Sequence, residues 1–493
     1  MSLPNDVWLQ IIDLVPPSAM HSQCLYRVNS AFLNVFLDQR YQQVSLSYLS
    51  SKMIWILERL KDPIVARRVR ILHLYPHFVK DALDTMDASP PSLFSKLGDL
   101  VRDQKKQLFS KHKPRLPLKF KTYRDLMQVM MDTFSRLPNL TEYHVLWCGL
   151  PSAGSCPTLV LSSPLRLNLR CLRLEISLEK LEHILSYYTQ PFPAVEKLDL
   201  FIRIDHNLDP TRYETILLML AQTINSLHSS LRKLIIQLWE PFDLSPLFSA
   251  ISHLPLLDKL SLSIPMSYPN LGSPAGLIAF LNLHSNTLQS LSIRASELGG
   301  RSLIPNEVQL GGWMDKTFAK VHLSCITALE ISLYLVPFDS ALLIVQRFSK
   351  TLTSLVFTGL HLAYEDVELL TAAFPPCLPH ALQYCRIGPL TLSPQLFDLF
   401  ADKFSGIDGL ELLVKSVIPS EGDVPLFCQR STSDRDQDEG QVGRFVEEMK
   451  TRRFPDWKLR HLDLSSGSYP RLMPEERYRS IFMRCVPNLQ TFQ

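Results

Sequence analysis

The segments VEKLDL (195–200), LRKLII (231–236), LDKLSL (257–262) and LQSLSI (288–293) share one spacing, apolar-x-x-apolar-x-apolar. The same spacing stands at VRILHL (69–74), LRCLRL (169–174), ITALEI (326–331), LTSLVF (352–357), LQYCRI (382–387), IDGLEL (407–412) and LRHLDL (459–464), and in shortened form at LQTF (489–492). Its starts recur at mostly 25 to 38 residues. Apolar residues two apart put their side chains on one face of a strand. The stretches between carry helical phase instead, as in Ile216, Leu217, Leu220 and Ile224, or Leu342, Leu343, Val345 and Phe348. Each unit therefore reads as a short strand and a returning helix, the crossover that a parallel strand needs before the next can begin.

One such unit cannot bury its own leucines, but stacked neighbours can. The expected fold is α/β: an irregular solenoid with parallel strands on a concave face and helices on a convex one. The second and third apolar positions of each strand point to the core, and the residues beside them alternate outward. The pattern resembles the leucine-rich-repeat superfamily over about residues 44–493, in an irregular form without the fixed Asn or Cys after the strand.

Composition fits that reading. With 46% apolar residues, 20% charged residues and a formal charge of +3, the chain is neither fibrous nor wholly disordered. The first twenty residues carry Asp6 and Asp13 without a basic cluster, so no secretory signal is expected. No run approaches the roughly 18 apolar residues of a membrane span. Nine scattered cysteines suit free thiols in a reducing compartment, so a cytoplasmic or nuclear location is expected.

The amino terminus carries a different signal. In LPNDVWLQII (3–12) and the residues after it, Val7, Ile11 and Leu14 recur at i, i+4 and i+7, and Trp8 and Ile12 widen the stripe. PPS (16–18) ends that helix, and Leu25, Val28, Phe32 and Val35 form a second stripe. Leu3-Pro4, Ile11-Ile12, Leu14, Leu25, Val28 and Phe32 resemble an F-box in order and spacing. The run through Arg40-Tyr41 is similar to the amino-terminal module of fungal F-box proteins. That resemblance implies a three-helix module at 1–43 that binds a Skp-type adaptor, and through it a cullin, while the repeats at 44–493 recruit an unknown protein substrate of an SCF-type ubiquitin ligase. The adaptor-facing residues it implies are Leu3, Pro4, Val7, Trp8, Ile11, Leu14, Leu25 and Val28. Two positions depart from the pattern: Asn5-Asp6 stand where a glutamate is often found, and Asn29 replaces the usual cysteine. A helical cap on the solenoid is the structural alternative. A cap would bury Trp8, whereas a docking helix would leave it exposed.

No catalytic motif accompanies these elements: G-x-x-x-x-G-K-[ST], G-x-S-x-G and H-E-x-x-H are all absent. His73 and His77 are separated by Pro76, and Cys377, His380 and Cys385 lack C-x-x-C pairs, so neither set reads as a metal site. The expectation is a non-catalytic chain without metal or cofactor.

Two insertions interrupt the repeat, at about 77–139 and 419–440. In RDQKKQLFSKHKPRLPLKFKTYR (102–124) nine Lys or Arg stand against one Asp, a density that can hold phosphates or direct nuclear import. The alternative function is therefore a repeat scaffold that binds nucleic acid or a nuclear partner, its amino-terminal helices serving as a cap. Only Phe109, Phe120 and Tyr123 are available for base stacking, which favours a solvated loop. The second insertion ends in STSDRDQDEG (431–440) and reads as a polar, disordered loop. On the strands, Lys197, Lys233 and Lys259 each precede the second apolar position. Lysine at such a site reads first as a tolerated, solvated residue; the sharper hypothesis is that this row, extended by Arg173 and Arg294, receives an acidic or phosphorylated segment of the substrate.

Overall fold

Every strand predicted from the spacing begins two residues after its first apolar position, and that position is buried each time, from Val69 and Leu169 to Leu459 and Leu489. The computed structural model describes residues 7–8, 10–11, 14, 30–48, 50–75, 123–147, 168–187, 195–204, 210–240, 242–265, 272–295, 307–332, 336–374, 382–419, 435–465 and 475–492. The chain divides into two compact units, Met1–Lys233 and Leu234–Gln493.

The first unit holds α1 (Ser30–Tyr41), β1 (Gln43–Leu46), α2 (Ser51–Arg59), α3 (Pro63–Ala66), β2 (Ile71–Leu74), α4 (Tyr123–Phe134), β3 (Glu142–Leu146), β4 (Cys171–Ser177), α5 (Leu178–Tyr187), β5 (Lys197–Arg203) and α6 (Pro210–Ser226). Strands β1 to β5 pair in parallel in chain order. Their inward positions form two apolar rows, Val44–Leu72–Tyr143–Leu172–Leu198 and Leu46–Leu74–Val145–Leu174–Leu200, and every member is buried. Fully burying one such side chain contributes about 1.5–3 kcal/mol. The helices close the other side of that core through Ile216, Leu217, Leu220 and Ile224 of α6 and through Leu126, Met127, Met130 and Phe134 of α4. Helix α4 lies within the stretch read from the sequence as an insertion at 77–139, whose residues 77–122 fall outside the described residues.

The second unit continues with β6 (Lys233–Leu238), α7 (Ser245–Ala250), β7 (Lys259–Ile264), α8 (Ala275–Leu283), β8 (Ser290–Ala295), α9 (Glu307–Phe318), β9 (Ala328–Ser332), α10 (Phe338–Phe348), β10 (Ser354–Leu362), α11 (Tyr364–Ala372), β11 (Tyr384–Leu392), α12 (Pro394–Lys403), β12 (Gly409–Val417), α13 (Arg435–Thr451), β13 (His461–Ser465), α14 (Glu475–Cys485) and β14 (Thr491–Phe492). Strands β7 to β14 also pair in parallel in chain order. Both units thus share the α/β, strand-and-helix architecture of leucine-rich repeats. In α10, Leu342, Val345 and Phe348 enter the core as the phase predicts, but Leu343 turns outward and is 56% exposed. Of the 419–440 stretch read as a disordered loop, residues 420–434 lie outside the described residues, and α13 starts at Arg435.

The repeats are joined by one backbone device. In the first unit the carbonyls of Gln42, Arg70, Thr141, Arg170 and Glu196 each accept two N–H groups from the start of the next repeat. In the second unit Asp258, Gln289, Thr327, Thr353, Gln383, Asp408 and Arg460 do the same, all at 2.8–3.0 Å. Local signals open the helices: Ser50, Asp62 and Ser393 accept hydrogen bonds from Met53, Ile64 and Leu396 at the amino ends of α2, α3 and α12. Gly388 meets a tighter requirement in β11, with φ of 124° and a hypothetical Cβ only 2.6 Å from the Leu413 carbonyl oxygen.

Helix α1 is fastened to the first repeat by Arg68. Its Nη1 donates to the Asn34 carbonyl at 3.1 Å and to the Asp38 carboxylate, and its Nη2 donates to Asn34 Oδ1 at 2.8 Å. Phe32 is buried on the inner side of that helix.

Candidate functional site

Alternation leaves one face of each sheet without its own helices, and the polar side chains collect there. In the first unit the outward rows run Gln43–Ile71–Glu142–Cys171–Lys197 and Ser45–His73–His144–Arg173–Asp199. Arg173 lies 3.8 Å from buried Asp199, and Arg203 pairs with Glu175 at 3.0 Å while its guanidinium lies over Phe201. His144 lies 3.5 Å from Glu142 and edge-on to His73, with ring centroids 4.5 Å apart. Burial lowers the pKa of both histidines, which keeps them neutral at physiological pH.

The matching face of the second unit is also of mixed charge. Glu330 pairs with Arg294 at 2.7 Å and accepts a hydrogen bond from Ser292 at 2.7 Å. Glu411 pairs with Arg386 at 3.0 Å and accepts the Tyr384 hydroxyl at 2.8 Å. An open cavity of about 740 Å³ lies here, lined in part by Tyr384, Glu411, Arg460, His461 and Asp463. Burial and the neighbouring Glu411 push the Asp463 carboxyl up. The Tyr384 hydroxyl and the Cys385 thiol are pushed well above their ordinary ranges, chiefly by burial, so neither is an activated nucleophile.

The predicted lysines stand at outward strand positions, Lys197 and Lys233 half-buried in the first unit and Lys259 exposed in the second. The row does not run on into the two arginines. Parallel register sets Cys171 beside Lys197 and Ser290 beside Lys259, so Arg173 lies one outward row away from the lysine position and Arg294 two, each already facing a carboxylate.

At the amino terminus Val7, Trp8 and Ile11 have helical backbone and are half-buried, and Leu14 is 84% exposed. The Trp8 ring meets Phe32 edge-on, with centroids 5.8 Å apart. Leu3, Pro4, Leu25 and Val28 lie outside the described residues.

Glu142 and His144 went unnoticed in the sequence because Tyr143 replaces an aliphatic residue in LTEYHV (140–145). Admitting an aromatic at the second apolar position reveals this strand by the same spacing.

No protein-family model matches the chain, and no curated protein matches it. Among solved structures, a Bacteroides fragilis protein from a structural genomics consortium is 16% identical, covering 59% of this chain and 71% of its own, with a TM-score of 0.30. The yeast Rad7 and Elc1 complex is 12% identical, covering 82% of this chain and 93% of the matched chain, with a TM-score of 0.35. Similarities this weak carry no argument about function. Among the described residues, no helix is long and apolar enough to cross a membrane.

Proposed function

We propose that this chain is a non-catalytic substrate-recognition subunit of an SCF-type ubiquitin ligase, its amino-terminal helices binding a Skp-type adaptor and its repeats recruiting a protein. The observation that carries this reading is an apolar stripe only partly used by the protein itself. Trp8 spends one ring edge on Phe32, while Leu14 stays exposed and Val7 and Ile11 half-buried. An apolar surface left open beside a repeat array favours a partner over a closed cap. The mixed-charge open faces then serve as the recognition surface for the recruited protein, and the ligase's partner enzymes carry the reactive thioester.

The test is capture of a Skp-type adaptor by the purified full chain. Replacing Leu3 and Pro4 together by alanine is expected to abolish capture while leaving the circular dichroism and melting temperature of the repeats unchanged. Undiminished capture by this variant would overturn the assignment.

A further inference from the structure

Strands β3 and β4 bring together three side chains of the kind that hold a metal ion, from positions that no local motif connects. Glu142 and His144 are two apart on β3 and so share its open face, and parallel register places Cys171 directly beside Glu142. A carboxylate oxygen, an imidazole nitrogen and the Cys171 sulfur all lie within 4.8 Å of one another. His144 Nε2 is shielded from water yet has no hydrogen-bond partner, a cost of about 1–3 kcal/mol for a buried polar atom left unsatisfied. A coordinated cation would remove that cost.

We propose that Glu142, His144 and Cys171 form a zinc-binding site on the open face of the first unit. Thiolate, imidazole and carboxylate are the three donor types of protein zinc sites, and three protein ligands with water in the fourth position is a recurrent arrangement. Zinc–ligand bonds of about 2.0–2.3 Å separate tetrahedral ligand atoms by roughly 3.3–3.8 Å. Ligand atoms within 4.8 Å of one another therefore need only side-chain adjustment to close on the ion. Charge balances as well: the carboxylate and the thiolate neutralise Zn²⁺, and the thiol proton leaves to solvent as the S–Zn bond forms.

The surroundings fit. Burial pushes the Cys171 thiol up, against the pull of Lys197 and Arg173, so the thiolate forms as the metal binds rather than before it, and the buried Asp199 carboxylate beside Arg173 offsets the repulsion of a cation by these two basic groups. The neutral state of His144 leaves a ring nitrogen able to ligate. His73 closes one side of the site as a wall. Gln43 donates to its Nε2 at 2.7 Å, which occupies that lone pair and holds the ring edge-on to His144. This inference is independent of the adaptor assignment.

The test uses the untagged full chain, stripped with chelator and titrated with Zn²⁺ and Co²⁺. One tightly held zinc per chain is expected, and cobalt should give a thiolate-to-metal charge-transfer band. Cys171→Ser should abolish the band, and Glu142→Gln, an isosteric change at a half-exposed position, should weaken zinc binding at least about tenfold without altering the melting temperature of the metal-free chain. Exposed Cys325→Ser should leave both signals intact. Failure to bind one zinc, or a cobalt band that persists in Cys171→Ser, would overturn the proposal.

Discussion

His284 shows how a single side chain can hold two elements together. Wholly buried, it accepts the Leu254 N–H at Nε2 (2.9 Å) and donates from Nδ1 to the Phe280 carbonyl (2.8 Å), which fixes the neutral tautomer. Burial, with a smaller contribution from the stacked His253 ring, holds its pKa below 6.5. Because the unfolded chain protonates near 6.5 and the folded one does not, stability is full above that pH and falls as the pH drops below it. The melting temperature should therefore decline from pH 7 to pH 5. His284→Ala should flatten part of that decline while costing about 3 kcal/mol at neutral pH, since it leaves a cavity and an unpaired buried N–H. Thermal melts across pH, read for both proteins, check both outcomes. Nothing in LNLHSNTLQ distinguishes this histidine from an exposed one, because its two partners come from Leu254 in another loop and from its own helix.

At the scale of elements, docking of α1 rests heavily on one arginine. Arg68 is largely covered and reaches both Asn34 and Asp38, although the exposure of Asp38 reduces what that ion pair contributes. Arg68→Ala is expected to lower stability by about 1–2 kcal/mol and to speed hydrogen exchange selectively along residues 30–41. Uniform acceleration across the repeats would show that α1 does not move independently. The strands were legible in the sequence because the leucines of the six-residue frame, apart from half-buried Leu464, are buried by their own repeat and the next. Strands β1 and β3 were less so, since QVSL is short and EYHVL places a tyrosine in an aliphatic slot. The helices between repeats are harder to read, because their apolar stripes contact whatever the neighbouring repeat presents, as the outward turn of Leu343 shows.

At the scale of the whole chain, Arg173 and Arg294 each face a carboxylate, so a test of the predicted cation row falls on its lysines. Reversing Lys197, Lys233 and Lys259 to glutamate should weaken capture of an acidic substrate roughly tenfold, from about 0.2–1 kcal/mol per solvent-accessible charge. Adaptor capture should not change, and raising the salt concentration should mimic the loss in the unaltered protein. Equal substrate recovery at low and high salt would argue against an acidic partner. The general plan of this surface was visible in the sequence, because outward positions follow from strand alternation. Its ion pairs were not, because they depend on which residues parallel register sets side by side across repeats.

The doubled hydrogen bond at these strand starts also governs how such a chain can change over generations. One carbonyl of the preceding repeat dictates where the following strand begins, whether the connection is brief, from Arg170 to Glu196, or long, from Arg70 to Thr141. Connector length is thus uncoupled from alignment, so a gene of this kind can lengthen, shorten or replace the intervening segments without renegotiating the frame. A one-residue deletion inside the frame, by contrast, would turn leucines outward in that repeat and displace its neighbour. Variation should accumulate in whole connectors, with new binding loops acquired on a frame that stays fixed.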